Sequence, residues 1–245
     1  MIERFITPEK LILRRFDDER DIPHWDAAII CFRDQSGSEA LIRALSGRPL
    51  GRKVFWGMEE TGDQPNVYAA EVEGKQIGIV ARCIWGGPQA AILVEELSAI
   101  GVPAIIGYGA AGSLDPSLSH GAQVAVSLAP ATDGTSKHYA MGPFRPDQEL
   151  LDSVTSASQV TAATVDAVYR ETPRIVDEWR GMGARIVNME AAPFYAAAKA
   201  CGIRALWLGH VSDILIGDWE DWYVDRRDMN AGTIDNCLAV LCDMD

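Results

Sequence analysis

Pro103-Ala104-Ile105-Ile106-Gly107-Tyr108, running into Gly109-Ala110-Ala111-Gly112-Ser113-Leu114, is the stretch that decides the fold. Its first half is a short continuous apolar run, as in a strand buried on both faces. Its second half is rich in glycine, which permits positive φ and lets backbone N–H groups approach a ligand. The whole reads as a strand followed by a tight strand-to-loop turn. It has no Lys for a P-loop, and its glycine spacing is not that of a dinucleotide fingerprint. Immediately upstream, Ala90, Ala91, Val94, Leu97 and Ile100 recur at helical spacing after Pro88. Glu95 and Glu96 are expected on the outer face of that helix, and Gly101 at its end.

The same alternation continues on both sides. Ala27–Phe32, Gln76–Ala81 and Gln123–Leu128 read as buried strands. Thr172-Pro173 predicts an N-cap and a first helical position, with the helix running to about Met182. A strand over Arg185–Asn188, a helix over Glu190–Cys201 stopped by Gly202, a strand over Ile203–His210 and a last helix over Asp228–Asp243 follow. Alternating strands and helices imply an α/β fold, a mixed and mostly parallel central sheet flanked by helices. No linker or repeat interrupts residues 1–245, so one domain is expected.

Composition agrees with a folded chain. Of 245 residues, 48% are hydrophobic and 23% charged, which excludes a disordered polymer. The 22 basic and 35 acidic side chains leave a net charge of −13. That argues against nucleic acid and anionic membrane as partners. There is no apolar run of about 18 residues. Met1-Ile2-Glu3-Arg4-Phe5 lacks the charged-then-apolar pattern of a secretion signal, so a cytoplasmic protein is expected. Cys31, Cys83, Cys201, Cys237 and Cys242 show no CxxC spacing and read as buried reduced thiols. The four histidines are scattered, so no metal site is expected.

In open α/β sheets ligands sit outside the carboxyl ends of strands. Four segments fall there, besides the polar turn at Asp133–Tyr139: Phe32–Gly37, Gly107–Ser113, Asn188–Glu190 and His210–Asp213. Glu190 is either a solvated first-turn carboxylate or a ligand group, stabilised in both cases by the helix dipole. Asp213 is either a turn residue or a strand-end general acid. Tyr139 either closes a loop or stacks on a planar ligand.

Taken together and in order, these segments resemble the nucleoside phosphorylase superfamily. Gly86-Gly87-Pro88-Gln89-Ala90-Ala91-Ile92 with Glu95-Glu96-Leu97 looks like its "GGPSAAI…EEL" segment. Ile105–Leu114 looks like "IRVGTAGSL", and Gly134–Tyr139 like "GTSYHY". Thr164–Glu171 resembles "STDALYRE", Val187–Ala192 "VDMEAA" and Val211–Asp213 "VVSD". The resemblance covers roughly Ala27 to Asp213. It implies cleavage of a nucleoside N-glycosidic bond, by phosphorolysis at an atypical phosphate site or by hydrolysis. The alternatives are a nucleoside-binding protein without phosphorolysis and a specialised pathway protein of the same fold. No cofactor is implied, with phosphate as a possible co-substrate, and a homo-oligomer, a dimer or hexamer, is expected.

Residue by residue, the resemblance makes Glu190 the acceptor for the ribose 2′- and 3′-hydroxyls and lays Met189 against the sugar. The backbone at Asn188–Met189 borders the base, Gly112 is a further substrate-binding position, Tyr139 packs on the base, and Asp213 protonates or hydrogen-bonds a purine at N7. Asp213 points to a purine and the Tyr139 region to a pyrimidine, so both bases stay open. The nucleophile half departs from the pattern. Cys31-Phe32-Arg33-Asp34-Gln35-Ser36-Gly37 stands in place of the "GDPxR" phosphate loop. Gly107 stands at the Arg of "IRVGT", and Ala110 at its phosphate-holding Thr or Ser. Trp85 adds bulk where a glycine is usual. Losing two guanidiniums removes charge-assisted bonds of about 1.5–3 kcal/mol each. Arg33, Asp34, Arg82, Gly109 and Ala110 are the residues left to line this pocket. Arg33 or Arg82 would replace the lost cations, and Asp34 would activate water.

Overall fold

The structure, a computed structural model, describes residues 4–16, 21–50, 55, 65–83, 85–220 and 226–244. β1 (Ala27–Cys31) is buried at every position, and its side chains alternate between two cores. Ala28 and Ile30 enter a core shared with α3 (Gly87–Ala99) and α6 (Ala191–Cys201). Ala27, Ile29 and Cys31 enter the opposite core, shared with α2 (Gln35–Ala44) and α7 (Arg226–Asp243). A strand covered on both faces has no reason to alternate polar and apolar residues, which is why it reads as a continuous apolar run.

The other strands are β2 (Arg48–Pro49), β3 (Val67–Val72), β4 (Lys75–Val80), β5 (Ala104–Ser113), β6 (Gln123–Leu128), β7 (Ser158–Thr164), β8 (Ala184–Asn188), β9 (Arg204–Ile216) and β10 (Asp218–Glu220). They form one mixed sheet in the order β10-β9-β6-β7-β8-β5-β1-β4-β3-β2. Parallel pairing runs through its centre, β4–β1–β5–β9. β5 also pairs with β8, and β9 with β6, both antiparallel. Strands β5, β9, β6, β7 and β8 therefore close into a ring. Two short helices remain, α1 (Pro8–Ile12) and α4 (Gln148–Asp152), besides α5 (Pro173–Gly181). Among the described residues no helix is long and apolar enough to cross a membrane.

Local chemistry sets the helix ends. The Thr172 hydroxyl accepts the Ile175 N–H at 3.4 Å ahead of Pro173, and Gly202, at φ 71°, closes α6 in the left-handed region. Three expectations change. Glu96 does not face outward but is 2% exposed, because α3 packs between α1 and α6. The glycine-rich segment is not a loop, since β5 runs unbroken to Ser113. β9 likewise runs six residues past His210, to Ile216. Of the five cysteines, Cys201 is only partly buried and Cys242 is exposed. The aromatic tail at 217–223 lies partly outside the described residues.

Candidate active site

β8 hands the chain to α6 at Asn188-Met189-Glu190. The first N–H groups of a helix have no partner within it. Here Asn188 Oδ1 accepts the N–H of Glu190 at 3.4 Å and of Ala191 at 3.2 Å. Thr164 Oγ1 accepts the N–H of Ala192 at 3.1 Å and donates to Asn188 Oδ1 at 3.2 Å. Capping is thus done by neighbours, and the Glu190 side chain makes no cap bond. It turns instead to Gly86, whose N–H donates to Oε1 at 3.1 Å. Burial pushes the Glu190 carboxyl up to about 7, against the pull of the Gly86 and Met189 backbone and the Arg33 charge.

A cleft of about 340 Å³ opens at this corner, lined by Trp85, Gly86, Thr135, His138, Asp166 and Met189 among others. The polar turn forms its far wall. Asp133, 2% exposed, accepts from Ser136 N at 2.7 Å and Ser136 Oγ at 2.5 Å. Asp166 accepts the Gly134 N–H at 2.6 Å. Tyr139 is drawn away from this wall. Its hydroxyl donates to Glu95 on α3 at 2.5 Å, and burial with the Glu95 hydrogen bond raises its pKa. The ring presented to the cleft by this turn is therefore that of His138, which the sequence reading passed over.

Asp213 lies within β9, paired in register with Gly112 of β5. Ser212 Oγ donates to Asp213 Oδ1 at 2.7 Å. A Cβ at Gly112 would sit 3.2 Å from Asp213 Oδ2 and 2.4 Å from Leu215 Cδ1, so only glycine leaves both side chains in place. Glu171 stands within electrostatic range of Asp213. Burial first and the Asp213 charge second push its carboxyl up to about 7. No local pattern marked Glu171, because its neighbour is 42 residues away in sequence.

The glycines of β5 do not serve backbone freedom. A Cβ at Gly107 would lie 2.8 Å from Trp207 Cδ1, and one at Gly109 2.5 Å from Trp207 Cζ2. They make room for the fully buried Trp207 on β9. An Arg at position 107 is thus excluded sterically as long as Trp207 is present. Ala110 is half-buried and pairs with His210.

The remaining candidates separate. Arg82 is turned elsewhere: its guanidinium donates to Pro65 O, to Tyr68 Oη at 3.0 Å and to Asn66 Oδ1 at 3.4 Å. Asp34 caps α2, accepting the Gly37 N–H at 3.0 Å. Arg33 folds back over Gly37, and its Nε is buried without a hydrogen-bond partner among the described residues. Of Arg33 and Arg82, it is Arg33 whose charge acts on the Glu190 carboxyl, drawing its pKa down.

With this geometry in place, most of the chain matches a known family: residues 36–237 fit the model of the phosphorylase superfamily. The chain belongs to the phosphorylase superfamily. It is 33% identical to a guanosine phosphorylase of Halorubrum lacusprofundi over 56% of this chain and 60% of that one. It is 30% identical to the uncharacterized protein R802 of Acanthamoeba polyphaga mimivirus, over 61% and 62%. It is 25% identical to the uridine phosphorylase of Escherichia coli, over 61% and 67%. The chain thus spans about 60% of the length of the first two of these superfamily relatives.

Proposed function

We propose that this protein cleaves the N-glycosidic bond of a nucleoside. The observation that carries the reading is Glu190, a buried carboxylate relieved of capping duty and set at the edge of a cleft. An ionised carboxylate accepts from both hydroxyls of a vicinal diol, and Met189 supplies the apolar surface beneath the sugar. Cleavage breaks the C1′–N bond, leaves its electron pair on the base and passes through an oxocarbenium-like sugar. In this reading Asp213 and its neighbour Glu171 supply the proton that the departing base needs, and Glu171 still holds one near neutral pH. The acceptor, a water that gives up its proton to solvent or an ionised phosphate oxygen, then bonds to C1′, with Arg33 as the nearby cation. Trp207 fills the space of a second cation, which favours water. The phosphorylases among its relatives favour phosphate.

The test is chromatographic. Purified protein is incubated with purine and pyrimidine nucleosides, with and without phosphate, and free base is measured. Equal base release without phosphate identifies a hydrolase, and release only with phosphate a phosphorylase. Nucleoside binding without any release would overturn cleavage and leave a binding protein. The same reading places the protein in the cytoplasm as a homo-oligomer. Trp85 is 60% exposed at the cleft, and Tyr169, 97% exposed, follows Asp166 by three residues, which suits a site covered by a second copy.

A further inference from the structure

A second cleft lies at the other end of α6 from Glu190. It holds about 420 Å³, against about 340 Å³ for the cleft beside Met189, and both are in the range of small-molecule sites. The 11 residues of α6 separate the two, which is about 16 Å of helix. The last turn of α6, the start of β9 and the segment ahead of α4 form its walls.

Its charges are unbalanced. Arg145, Lys199 and Arg204 line it, and Asp147 is the one carboxylate among its described lining residues. Arg204 is already engaged, with Nε donating to Asp147 Oδ1 at 3.3 Å and Nη2 to Glu149 Oε2 at 3.0 Å. Asp147 Oδ1 also accepts the Leu150 N–H at 3.1 Å, at the start of α4. Arg145 and Lys199 are exposed and make no hydrogen bond or ion pair with any described residue. The nearby carbonyls of α6 are taken, Lys199 O by Gly202 N at 3.3 Å and Ala198 O by Ile203 N at 3.1 Å. In a chain of net charge −13, two uncommitted cations at one cleft are a local feature and not part of a basic surface.

The rest of the lining is mostly apolar, with Pro143, Pro146, Ala198 and Ile203. Two monocations beside an apolar wall suit a dianion carried on a ring. A phosphate monoester has nearly that charge at neutral pH, with three acceptor oxygens, and both Arg and Lys bind phosphate. A carboxylate would leave one cation unmatched, and inorganic phosphate would leave the apolar wall uncovered. We infer that this cleft binds a nucleoside 5′-monophosphate, its phosphate on Arg145 and Lys199 and its base against the two prolines. The site is separate from the one at Glu190, and the inference does not rest on cleavage there.

Adenosine 5′-monophosphate, ribose 5-phosphate and inorganic phosphate are titrated calorimetrically into the wild type, Arg145→Gln, Lys199→Gln, the double variant and Glu190→Gln. The Tm of each protein is measured with and without ligand. Arg145 and Lys199 are exposed, so their variants should keep the wild-type Tm. The expected result is nucleotide binding to the wild type and to Glu190→Gln, at least roughly tenfold weaker in the double variant and weakened by added salt. Undiminished binding in the double variant, or binding lost in Glu190→Gln instead, overturns the inference. Ribose 5-phosphate or inorganic phosphate binding as tightly as the nucleotide overturns the base contact and leaves a bare anion site. No nucleotide binding to the wild type overturns the site outright. Each outcome reads the same whether or not nucleosides are cleaved at Glu190.

Discussion

Glu190 carries a proton that an exposed glutamate would have lost. Its carboxyl is pushed up from 4.5 to about 7 by burial. Between those values the folded protein holds this proton and the unfolded chain does not. Stability from this group is therefore full below about pH 4.5, falls as pH rises, and is lost above about pH 7. Glu190→Gln removes that penalty, so its Tm gain over wild type should be larger at pH 8 than at pH 5, while diol binding is lost. A gain independent of pH would contradict the assignment. Nucleoside affinity should rise through about pH 7 as the acceptor ionises. Glu171 acts in the opposite sense, because its useful form is protonated. Base release should fall above about pH 7, and Glu171→Gln should lose that limb together with roughly a hundredfold in rate. An unchanged alkaline limb in Glu171→Gln would remove the proton from this residue. Glu190 and Asp213 were legible as candidates because each ends a recognisable segment. The influence of Asp213 on Glu171 was not, since burial and charge between distant segments have no local signature.

At the scale of elements, β5 and β9 lie side by side so that Trp207 is seated over glycines on both strands. Gly209 also faces it, with a Cβ there falling 2.6 Å from Trp207 Cη2. Gly109→Ala should destabilise the fold by about 1–3 kcal/mol through overpacking. Thermal or urea unfolding of the single variants and of the double variant with Trp207→Ala should show strong non-additivity, because removing the ring also removes the clash. Additive costs would mean that the glycine answers to its backbone instead. The same segment shows how a sequence misleads. Its glycines look like a ligand loop, and only the indole across the strand pair reveals their purpose. Helix ends were easier to read. Thr172-Pro173 and Gly202 act through contacts within four residues, so Thr172→Ala should cost α5 about 1 kcal/mol, readable by chemical denaturation.

The whole molecule is one sheet covered on both faces, with part of it closed into a ring. The cleft beside Met189 lies where the ring meets α3 and α6; exposed Trp85 lines it, and exposed Val168 and Tyr169 follow its lining residue Asp166 by two and three positions. Light scattering after gel filtration should give a mass of at least two chains, and Trp85→Ser with Tyr169→Ser should lower it. A monomeric wild type would remove the second copy from the site. The sequence by itself determined the α/β class, the strands buried on both faces, the helix termini and the corner at Asn188–Glu190. Those features depend on periodicity and on contacts a few residues long, which a linear reading carries. The tertiary structure alone decided which cation acts on Glu190, why Gly107 admits no arginine and that Tyr139 belongs to α3. Each depends on side chains brought together from distant strands, and on how much water their packing excludes.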